Sequence, residues 1–549
     1  MNATPARATD PKRANAPRDY EVVVIGTGVA GIYQTKRLKD LGVNFVTLDM
    51  NADLGGTWYN NRYPGARFDS ESFTYGYSFS KELLAEWHWT EQFSPQPETL
   101  KYLNYVADKF DLRRHMRFNT RVDAMHFNDD LDTWTLTLGD GSKLTTRFVI
   151  TAVGVLSTPT QPEFPGMADF KGLSFHPFNW PHEQPDLTGK RVAIIGTGAT
   201  AIQIIPEVAK VASHLTIFQR RPNWAAPLNN SKIDDAEMAK IRARYDEIFA
   251  ACARTPGGFE HEPDRRGFYE VTPEERKALW DKLYDEPGFG IWLRNFVEIF
   301  TDEKANAEFS EYIANRIRQR VKDPVLAEKL IPRDHGFGVQ RVPLETGYFE
   351  VYNQDNVELV DSGETPIQRI TETGLETTNR SFEFDVIIYS TGFDAFTGAF
   401  DKIDIRGAGG VKLKDKWADG PVTFLGLMVT GMPNMVMLAG PQHASTNFPR
   451  GAELAVDWVT PFLQYCWQHG YTRFDPREEA EQRWFQHVQD MYKGILMGKA
   501  KSWITGYNGN LPGHEYGKTR YNIYAGGGPK YARTLQQCAE KGYEGVDLS

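Results

Sequence analysis

Two stretches of the chain show the same order of apolar and polar segments: an apolar strand, a glycine cluster, a helix pattern and a second strand. The first starts at Glu21–Ile25, has a helix pattern through Leu38, and returns as a strand over Asn44–Leu48. The second starts at Arg191–Ile195 and returns at Leu215–Phe218. A β-α-β unit of this length is typical of a nucleotide-binding sheet. We therefore predict two such sheets, each parallel and covered by helices.

The hydrophobic pattern changes between residues 232 and 332, where charged, helix-forming sequence dominates. Thr272-Pro273-Glu274-Glu275 has the form of a capping box with proline at the first helical position. Leu279 and Leu283 lie four positions apart and mark one apolar face. We predict a helical insertion over 232–332, after which strand-like sequence resumes.

Neither the longest apolar run nor the amino terminus resembles a membrane segment. Phe424–Gly440 is interrupted by Gly431-Met432-Pro433-Asn434, so we expect two buried strands around a turn. The first eighteen residues mix Ala, Pro, Thr and Arg and lack an apolar segment. A disordered tail is therefore expected there, and a secretory signal is not.

Charge and cysteine content narrow the class of partner. The 549 residues carry a formal net charge of -10, which argues against nucleic acid or an anionic membrane, because such partners need a basic face. Cys252, Cys466 and Cys538 form no disulfide or zinc pattern and fit a reducing cytoplasm. We expect a cytoplasmic protein with no metal, nucleic-acid or membrane partner.

The first glycine cluster has the spacing of a pyrophosphate-binding turn. Gly26, Gly28 and Gly31 form G-x-G-x-x-G between the first strand and its helix. Gly26 permits the tight turn, Gly28 allows the backbone to approach a pyrophosphate, and Gly31 allows the helix to pack on the strand. Asp49 ends the second strand, where a carboxylate accepts hydrogen bonds from a ribose diol.

The second glycine cluster is followed by a different kind of residue. Gly196, Gly198 and Thr200 belong to a G-x-G-x-x-A pattern in the same strand–helix context. Where an acid would end the second strand, the chain has Arg220 and Arg221. A carboxylate there repels a 2′-phosphate, whereas guanidinium groups pair with it. The second site is therefore predicted to prefer NADPH to NADH.

These units predict an α/β fold with two Rossmann-like dinucleotide-binding domains, for FAD first and NADPH second, and a helical insertion. Strand-like segments at Val357–Val360 and Asp385–Tyr389 follow the insertion. The predicted divisions are a tail over 1–18, the FAD domain over 19–155 and 385–549, the NADP domain over 156–231 and 333–384, and the insertion over 232–332.

The chain lacks the redox disulfide of flavin disulfide reductases, so the hydride has to leave the flavin for another acceptor, of which O2 is the obvious one. An NADPH oxidase or electron-transfer reductase would yield hydrogen peroxide or a reduced acceptor and no oxygenated organic product. A non-enzymatic FAD-binding protein would not be bleached by NADPH. These alternatives remain open on the residues considered so far.

A segment between the two units carries a longer fingerprint. Phe170, Gly172, His176, Trp180 and Pro181 stand in the order F-x-G-x-x-x-H-x-x-x-W-P. This resembles the fingerprint of type I Baeyer–Villiger monooxygenases. The related N- and S-oxygenating flavin monooxygenases end this stretch with Tyr and a basic residue, so Trp180-Pro181 favours the ketone oxygenases.

The resemblance continues over nearly the whole chain, from about Tyr20 to Leu548. Gly56, Thr57, Trp58 and Asp69 belong to a stretch that resembles the family's G-x-W-x-x-x-x-Y-P-G-x-x-x-D. Further matches, by position in this sequence, are Ser390-Thr391-Gly392-Phe393-Asp394, Arg341-Val342-Pro343-Leu344-Glu345 and Ser502-Trp503.

The resemblance implies a reaction and a set of residue roles. NADPH reduces FAD, O2 gives a C4a-peroxyflavin, and this oxygenates a ketone substrate to an ester or lactone. Arg341 matches the active-site arginine, whose fixed charge suits an anionic peroxide. Asp69 matches the carboxylate that holds it, and we expect it to stay ionised beside the arginine. Trp503 is implied to lie on the nicotinamide side, and His176 to have a structural duty.

The chain departs from the family at positions that affect coenzyme and substrate. Gln340 stands where the family often has a lysine for the 2′-phosphate, so NADPH preference is expected to be weaker, with Arg221 compensating. Asn60 replaces a frequent tryptophan, and 440–448 is a loop of family-variable composition. Substrate range, regioselectivity and oligomeric state do not follow from the sequence.

Overall fold

The protein, seen in a computed structural model that describes residues 11–444, 446–511, 514 and 520–549, is organised around two large sheets. The first has eight strands, with Tyr20–Ile25 at its centre between Phe45–Leu48 and Lys143–Thr151. Its remaining strands are Met116–Arg117, Val122–Asn128, Thr133–Leu138, Asp404–Arg406 and Met435–Met437.

This first sheet corrects the expectation of a purely parallel one. The strands around Tyr20–Ile25 pair in parallel, but Val122–Asn128, Thr133–Leu138 and Lys143–Thr151 form an antiparallel meander. Short turns between these three strands leave no room for a crossover helix, so each strand reverses direction. The sheet is therefore mixed, with its parallel part carrying the first glycine turn.

The second sheet has five strands, all parallel. Val386–Tyr389 pairs with Arg191–Ile195 on one side and with Leu173–Phe175 on the other. The boundary predicted at residue 385 is thus displaced, because this apolar segment completes the second sheet and not the first. The strands, in spatial order, are Val357–Asp361, His214–Gln219, Arg191–Ile195, Val386–Tyr389 and Leu173–Phe175.

Each glycine turn leads directly into a helix. Val29–Asp40 follows Gly28, and Ala199–Ala209 follows Gly198, so each helix N-terminus lies next to the carboxyl end of a central strand. The other α-helices are Pro11–Ala14, Thr57–Asn60, Ser72–Tyr75, Lys81–Glu86, Gln96–Lys109, Asp235–Arg254, Pro273–Asp285, Gly290–Leu293, Glu303–Arg320, Pro324–Lys329, Tyr348–Val351, Gly398–Asp401, Leu413–Lys416, Phe448–His469, Glu478–Met491 and Gly528–Glu540.

The segment 232–332 is helical, as the charge and apolar pattern predicts, but it does not pack as one unit. Asp235–Arg254 buries Met238 and Ile248 in the core of the first sheet. Pro273–Asp285 and Glu303–Arg320 pack instead in the core of the second. The capping box at Thr272 is confirmed, since its hydroxyl accepts from Glu275 N and the Glu275 carboxylate accepts from Thr272 N.

Two other expectations are corrected. Residues 11–18 of the predicted tail are ordered: Pro11–Ala14 forms a helical turn, and Arg13 pairs with buried Asp132; residues 1–10 lie outside the described part. Only the second half of the apolar run forms a strand, Met435–Met437, because Leu425 and Gly426 have positive φ and turn the first half back on itself. In the described chain, no helix combines the length and the apolar character needed to cross a membrane.

Candidate active site

The first glycine turn and the motif that follows it approach each other closely. Gly56 has a φ of +54°, and a Cβ added to it would lie 2.9 Å from the Cα of Gly28. Both glycines line the main cavity, beside the N-terminus of the helix Val29–Asp40. Bare backbone and a helix N-terminus form a surface suited to a pyrophosphate, whose charge the aligned N–H groups favour.

Asp49 is buried and makes its bonds within the turn. One carboxylate oxygen accepts from the N–H of Thr27 at 2.7 Å and from its hydroxyl at 2.6 Å. The other accepts from Asn51 N at 2.8 Å. Asp49 still lines the cavity, and each carboxylate oxygen has more than one lone-pair site. It therefore fixes the shape of the turn and remains placed for a ribose hydroxyl.

The arginines that follow the second turn contact the C-terminal segment. Arg220 donates from Nη1 to Oδ1 of Asn510 at 2.8 Å. Burial, and then the neighbouring charge of Arg221, lower the pKa of Arg220. Arg221 lies over the ring of Tyr507. Gln340, in place of the expected lysine, lines the cavity and donates weakly to the carbonyl of Lys501 at 3.4 Å.

One cavity of about 1350 Å³ lies between the two glycine turns. This volume exceeds that of an ordinary small-molecule pocket and suits a dinucleotide with a second ligand. The predicted residues that line it are Gly26, Gly28, Asp49, Gly56, Thr57, Trp58, Asp69, Gly198, Thr200, Gln340, Arg341 and Trp503. The predicted residues outside its described lining are Gly31, Gly196, Phe170, Gly172, His176, Trp180, Pro181, Arg220 and Arg221.

Arg341 and Asp69 meet inside this cavity. Nη2 of Arg341 lies 2.6 Å from Oδ2 of Asp69, which also accepts from Leu344 N at 3.3 Å. Side-chain exposure is 38% for Arg341 and 3% for Asp69, so the arginine faces the open space and the acid lies behind it. The other carboxylate oxygen of Asp69 is buried without a partner among the described residues.

The pKa of the Asp69 carboxyl is shifted by burial as well as by its arginine partner. Burial raises the pKa of the Asp69 carboxyl, and the opposing effects of Arg341 and of the Leu344 N–H are smaller. The sequence expectation considered the arginine alone, whereas desolvation of a buried carboxyl acts in the opposite direction. The hydrogen bond that Arg341 donates to Asp69 does not depend on the direction of this pKa shift.

A tyrosine that the sequence reasoning did not single out bridges the two halves of the site. Tyr63 donates from its hydroxyl to Oε1 of Gln203 at 3.0 Å, and Gln203 donates to the carbonyl of Arg67. Burial raises the pKa of Tyr63 to about 12, so it stays a phenol. Tyr63 lies in the Tyr-Pro-Gly part of a sequence motif, so the sequence offered a reason to consider it. Gln203 belongs to no motif that would have identified it.

The residues Asp69, Ser70 and Glu71 are all buried, and each contacts a different residue of the cavity lining. Asp69 holds Arg341; the hydroxyl of Ser70 donates to Oδ1 of Asn447 at 3.2 Å; and Oε1 of Glu71 lies 2.7 Å from Nε2 of His261. The sequence reasoning did not identify the last two contacts, since the partners are 377 and 190 positions apart and no local pattern joins them.

Trp503 lines the cavity at the C-terminal side. Its ring centroid lies 5.7 Å from that of Phe396, and its carbonyl accepts from Asn522 Nδ2 at 2.9 Å. The hydroxyl of Ser502 accepts from Ile504 N and caps the short helical turn Trp503–Thr505. The tryptophan is thus presented by a defined turn next to the cavity.

Both ring nitrogens of His176, the histidine of the fingerprint, are occupied by hydrogen bonds with the backbone. Nδ1 of His176 accepts from Phe178 N at 3.1 Å, and Nε2 donates to the carbonyl of Gly392 at 3.0 Å. Burial lowers the pKa of His176 to about 4, so the ring is neutral. Trp180 is buried in the core of the second sheet and donates to Gln184. Within the described residues, no group of three or more His, Cys, Asp or Glu side chains is placed to hold a metal ion.

Comparison with known proteins places this site in context. Residues 19–238 match the flavin-binding monooxygenase-like family model. The chain is 43% identical to 2-oxo-Δ3-4,5,5-trimethylcyclopentenylacetyl-CoA monooxygenase of Pseudomonas putida, over 98% of this chain and 99% of that protein. It is 38% identical to a Baeyer–Villiger monooxygenase of Pseudooceanicola batsensis, over 96% and 95% of the two chains.

The solved structures agree with the sequence relatives. A crystal structure of OTEMO in complex with FAD and NADP superposes with a TM-score of 0.93 at 42% identity, covering 97% of this chain and all of the other. The match extends over both sheets and the cavity between them.

Proposed function

This chain belongs to the Baeyer–Villiger monooxygenases, flavoenzymes that use FAD, NADPH and O2 to convert ketones to esters or lactones, and we propose on that premise which residues carry out the reaction. When bound, FAD reduced by NADPH would react with O2 and supply one activated oxygen atom to the ketone, with the other oxygen atom leaving as water. The residue roles below are inferred from the placement of side chains around the cavity.

The observation that carries the proposal is the position of Arg341 at the cavity surface, with Asp69 behind it. A ketone carbonyl under nucleophilic attack develops negative charge on oxygen. A guanidinium that keeps its proton stabilises this charge in a site from which water is excluded. Asp69 orients the guanidinium through the 2.6 Å hydrogen bond, so Arg341 is the catalytic residue and Asp69 its positioning partner.

The two glycine turns would hold the two coenzymes. The backbone of Gly26, Gly28 and Gly56, with Asp49, would bind FAD in the first domain. The helix N-terminus after Gly198 would receive the pyrophosphate of NADPH in the second. Arg220 and Arg221 would recognise the 2′-phosphate, although they now contact Asn510 and Tyr507, so that coenzyme binding has to rearrange or share these contacts.

The three cysteines are free thiols, which supports a cytoplasmic location.

The substrate is proposed to be a ketone of small to medium size. The Pseudomonas putida relative is named for a substituted cyclopentenyl ketone carried on a CoA thioester, so cyclic ketones with a side arm belong in the panel. The test is gas chromatography–mass spectrometry of products formed by the FAD-loaded protein with NADPH, air and ketones of graded size. Esters or lactones one oxygen heavier than the ketone would support the proposal. Hydrogen peroxide alone across the panel would refute it and favour an oxidase.

A further inference from the structure

The cavity that contains Arg341 is also lined by a histidine whose role has not yet been assigned. His261 lines this cavity, in a wall that is otherwise formed by aromatic and aliphatic groups such as Phe259, Phe289 and Trp292. The ring centroid of His261 lies 6.2 Å from that of Phe259, which in turn lies 5.4 Å from that of Phe289. A lone imidazole in such a wall is a specific contact point for a ligand, since polar groups in apolar pockets set orientation.

The imidazole is held by a buried carboxylate. Nε2 of His261 lies 2.7 Å from Oε1 of Glu71, and the side chains are 11% and 6% exposed. The Glu71 oxygen lies so close to the backbone that a Cβ on Gly288 would meet it at 2.9 Å. Glu71 is buried beside the Gly288 backbone and holds Nε2 of the histidine ring toward the protein.

The second ring nitrogen is left for a ligand. Nδ1 of His261 makes no hydrogen bond within the described part of the chain, and it is not among the sealed, unpartnered atoms there. Histidines with a purely structural role in this protein behave differently. Both nitrogens of His176 are used by the backbone, and the unpartnered Nε2 of His443 is sealed from solvent. His261 alone of these three presents a nitrogen to accessible space.

His261 is also fixed relative to the reactive centre. Asp69 and Glu71 are separated by one residue, both are buried, and they hold Arg341 and His261 respectively. The hydroxyl of Ser70, which lies between them, donates a hydrogen bond to Oδ1 of Asn447. A single buried tripeptide therefore holds two polar side chains, Arg341 and His261, that line the same cavity.

We propose that Nδ1 of His261 is a substrate-binding group that recognises a hydroxyl substituent carried by the ketone away from its carbonyl. The inference rests on the proposed function and assigns a substrate class to the same site. A neutral donor is favoured over a carboxylate substituent, because Glu71 and half-buried Glu260 are close enough to interact electrostatically and would repel an anion. With Nε2–H donated to Glu71, a neutral ring offers the Nδ1 lone pair as an acceptor.

The test compares 4-hydroxycyclohexanone with 4-methylcyclohexanone, which have similar size and differ in the hydrogen-bonding group. Product formation by the FAD-loaded enzyme with saturating NADPH gives kcat/KM for each ketone, and bound-FAD absorbance confirms that each variant is folded. For His261→Phe we expect the ratio of kcat/KM, hydroxyl over methyl, to fall about tenfold or more. Glu71→Gln should lower the ratio less, because it keeps the ring in place.

Phe259→Leu is the matched control, since it changes the shape of the same wall without a hydrogen bond, and both ketones should shift by a similar factor. His261→Gln, which keeps a polar end, should retain part of the preference and serves if His261→Phe does not fold. A ratio unchanged in the His261 variants, or an equal loss with both ketones, would overturn the inference while leaving the proposed function standing. Absence of an oxygenated product from every ketone with the unaltered enzyme would overturn both.

Discussion

Arg341 and Asp69 are 272 positions apart in the chain, yet Nη2 of the arginine lies 2.6 Å from Oδ2 of the aspartate. Asp69 follows the first glycine turn, and Arg341 follows the helices that pack on the second sheet. The ion pair therefore joins the two halves of the molecule at the cavity between them. It also places the only open side of the pair, the guanidinium, toward the ligand space.

The 2′-phosphate role of Arg220 predicts a selective effect on coenzyme use. Arg220→Ala should raise KM for NADPH about tenfold, in line with the loss of one charge-assisted contact, and should change KM for NADH little. Arg369→Ala is the control, because Arg369 forms only an exposed pair with Glu376 in the same half of the protein. Steady-state kinetics with both coenzymes measure the two KM values. An equal rise for both would refute the assignment.

The close approach of Gly56 to Gly28 predicts loss of flavin on adding a single methyl group. Gly56→Ala must fit a Cβ 2.9 Å from the Gly28 Cα at a positive φ, so the purified variant should contain much less FAD per protein. Gly42→Ala has a similar φ of +65° but meets nothing within 4 Å. It should cost about 1 kcal/mol of stability and keep its FAD. Equal FAD content in both variants would contradict a backbone cradle for the pyrophosphate.

Asp475 predicts a pH-dependent stability term. Burial raises the pKa of Asp475 to about 6 in the folded protein, although its carboxylate accepts from Gly431 N at 2.8 Å. The folded state then binds more protons than the unfolded state between about pH 4 and pH 6, so stability from this group is present below pH 4 and lost as pH rises through 6.

Asp475→Asn keeps an acceptor for Gly431 and removes this charge. Relative to the unaltered protein, the variant should gain about 2–3 kcal/mol of unfolding free energy between pH 4 and pH 7. Denaturant unfolding at several pH values measures the difference, with exposed Asp419→Asn as the control. A difference that does not change with pH would show that burial does not set the ionisation of Asp475.

The local features of the fold were predictable, because they depend on neighbouring residues. The strand Arg191–Ile195, the capping box at Thr272 and the helices that follow both glycine turns are confirmed. The placement of Val386–Tyr389 in the second sheet was not predictable, since an apolar strand carries no mark of which sheet it completes. The same limit applies to 232–332, whose helices divide between two cores.

The site was predictable only in part. The resemblance singled out Arg341 and Asp69, and the structure brings them into contact. The direction of the Asp69 pKa shift was missed, because desolvation depends on every group packed around the carboxyl. Glu71 and His261 were missed because a contact across 190 positions leaves no periodic or motif signal in the sequence.

If Arg341 directs oxygen to the ketone, the product balance of the Arg341→Ala variant must show it. Ester, hydrogen peroxide and NADPH consumption are quantified together with the best ketone of the panel, beside Arg341→Lys, which keeps a charge but loses the forked geometry. We predict normal FAD content and continued NADPH oxidation, with ester formation at least about 100-fold lower in the alanine variant and peroxide in its place. Ester formation at the unaltered rate in Arg341→Ala would contradict a catalytic role of Arg341.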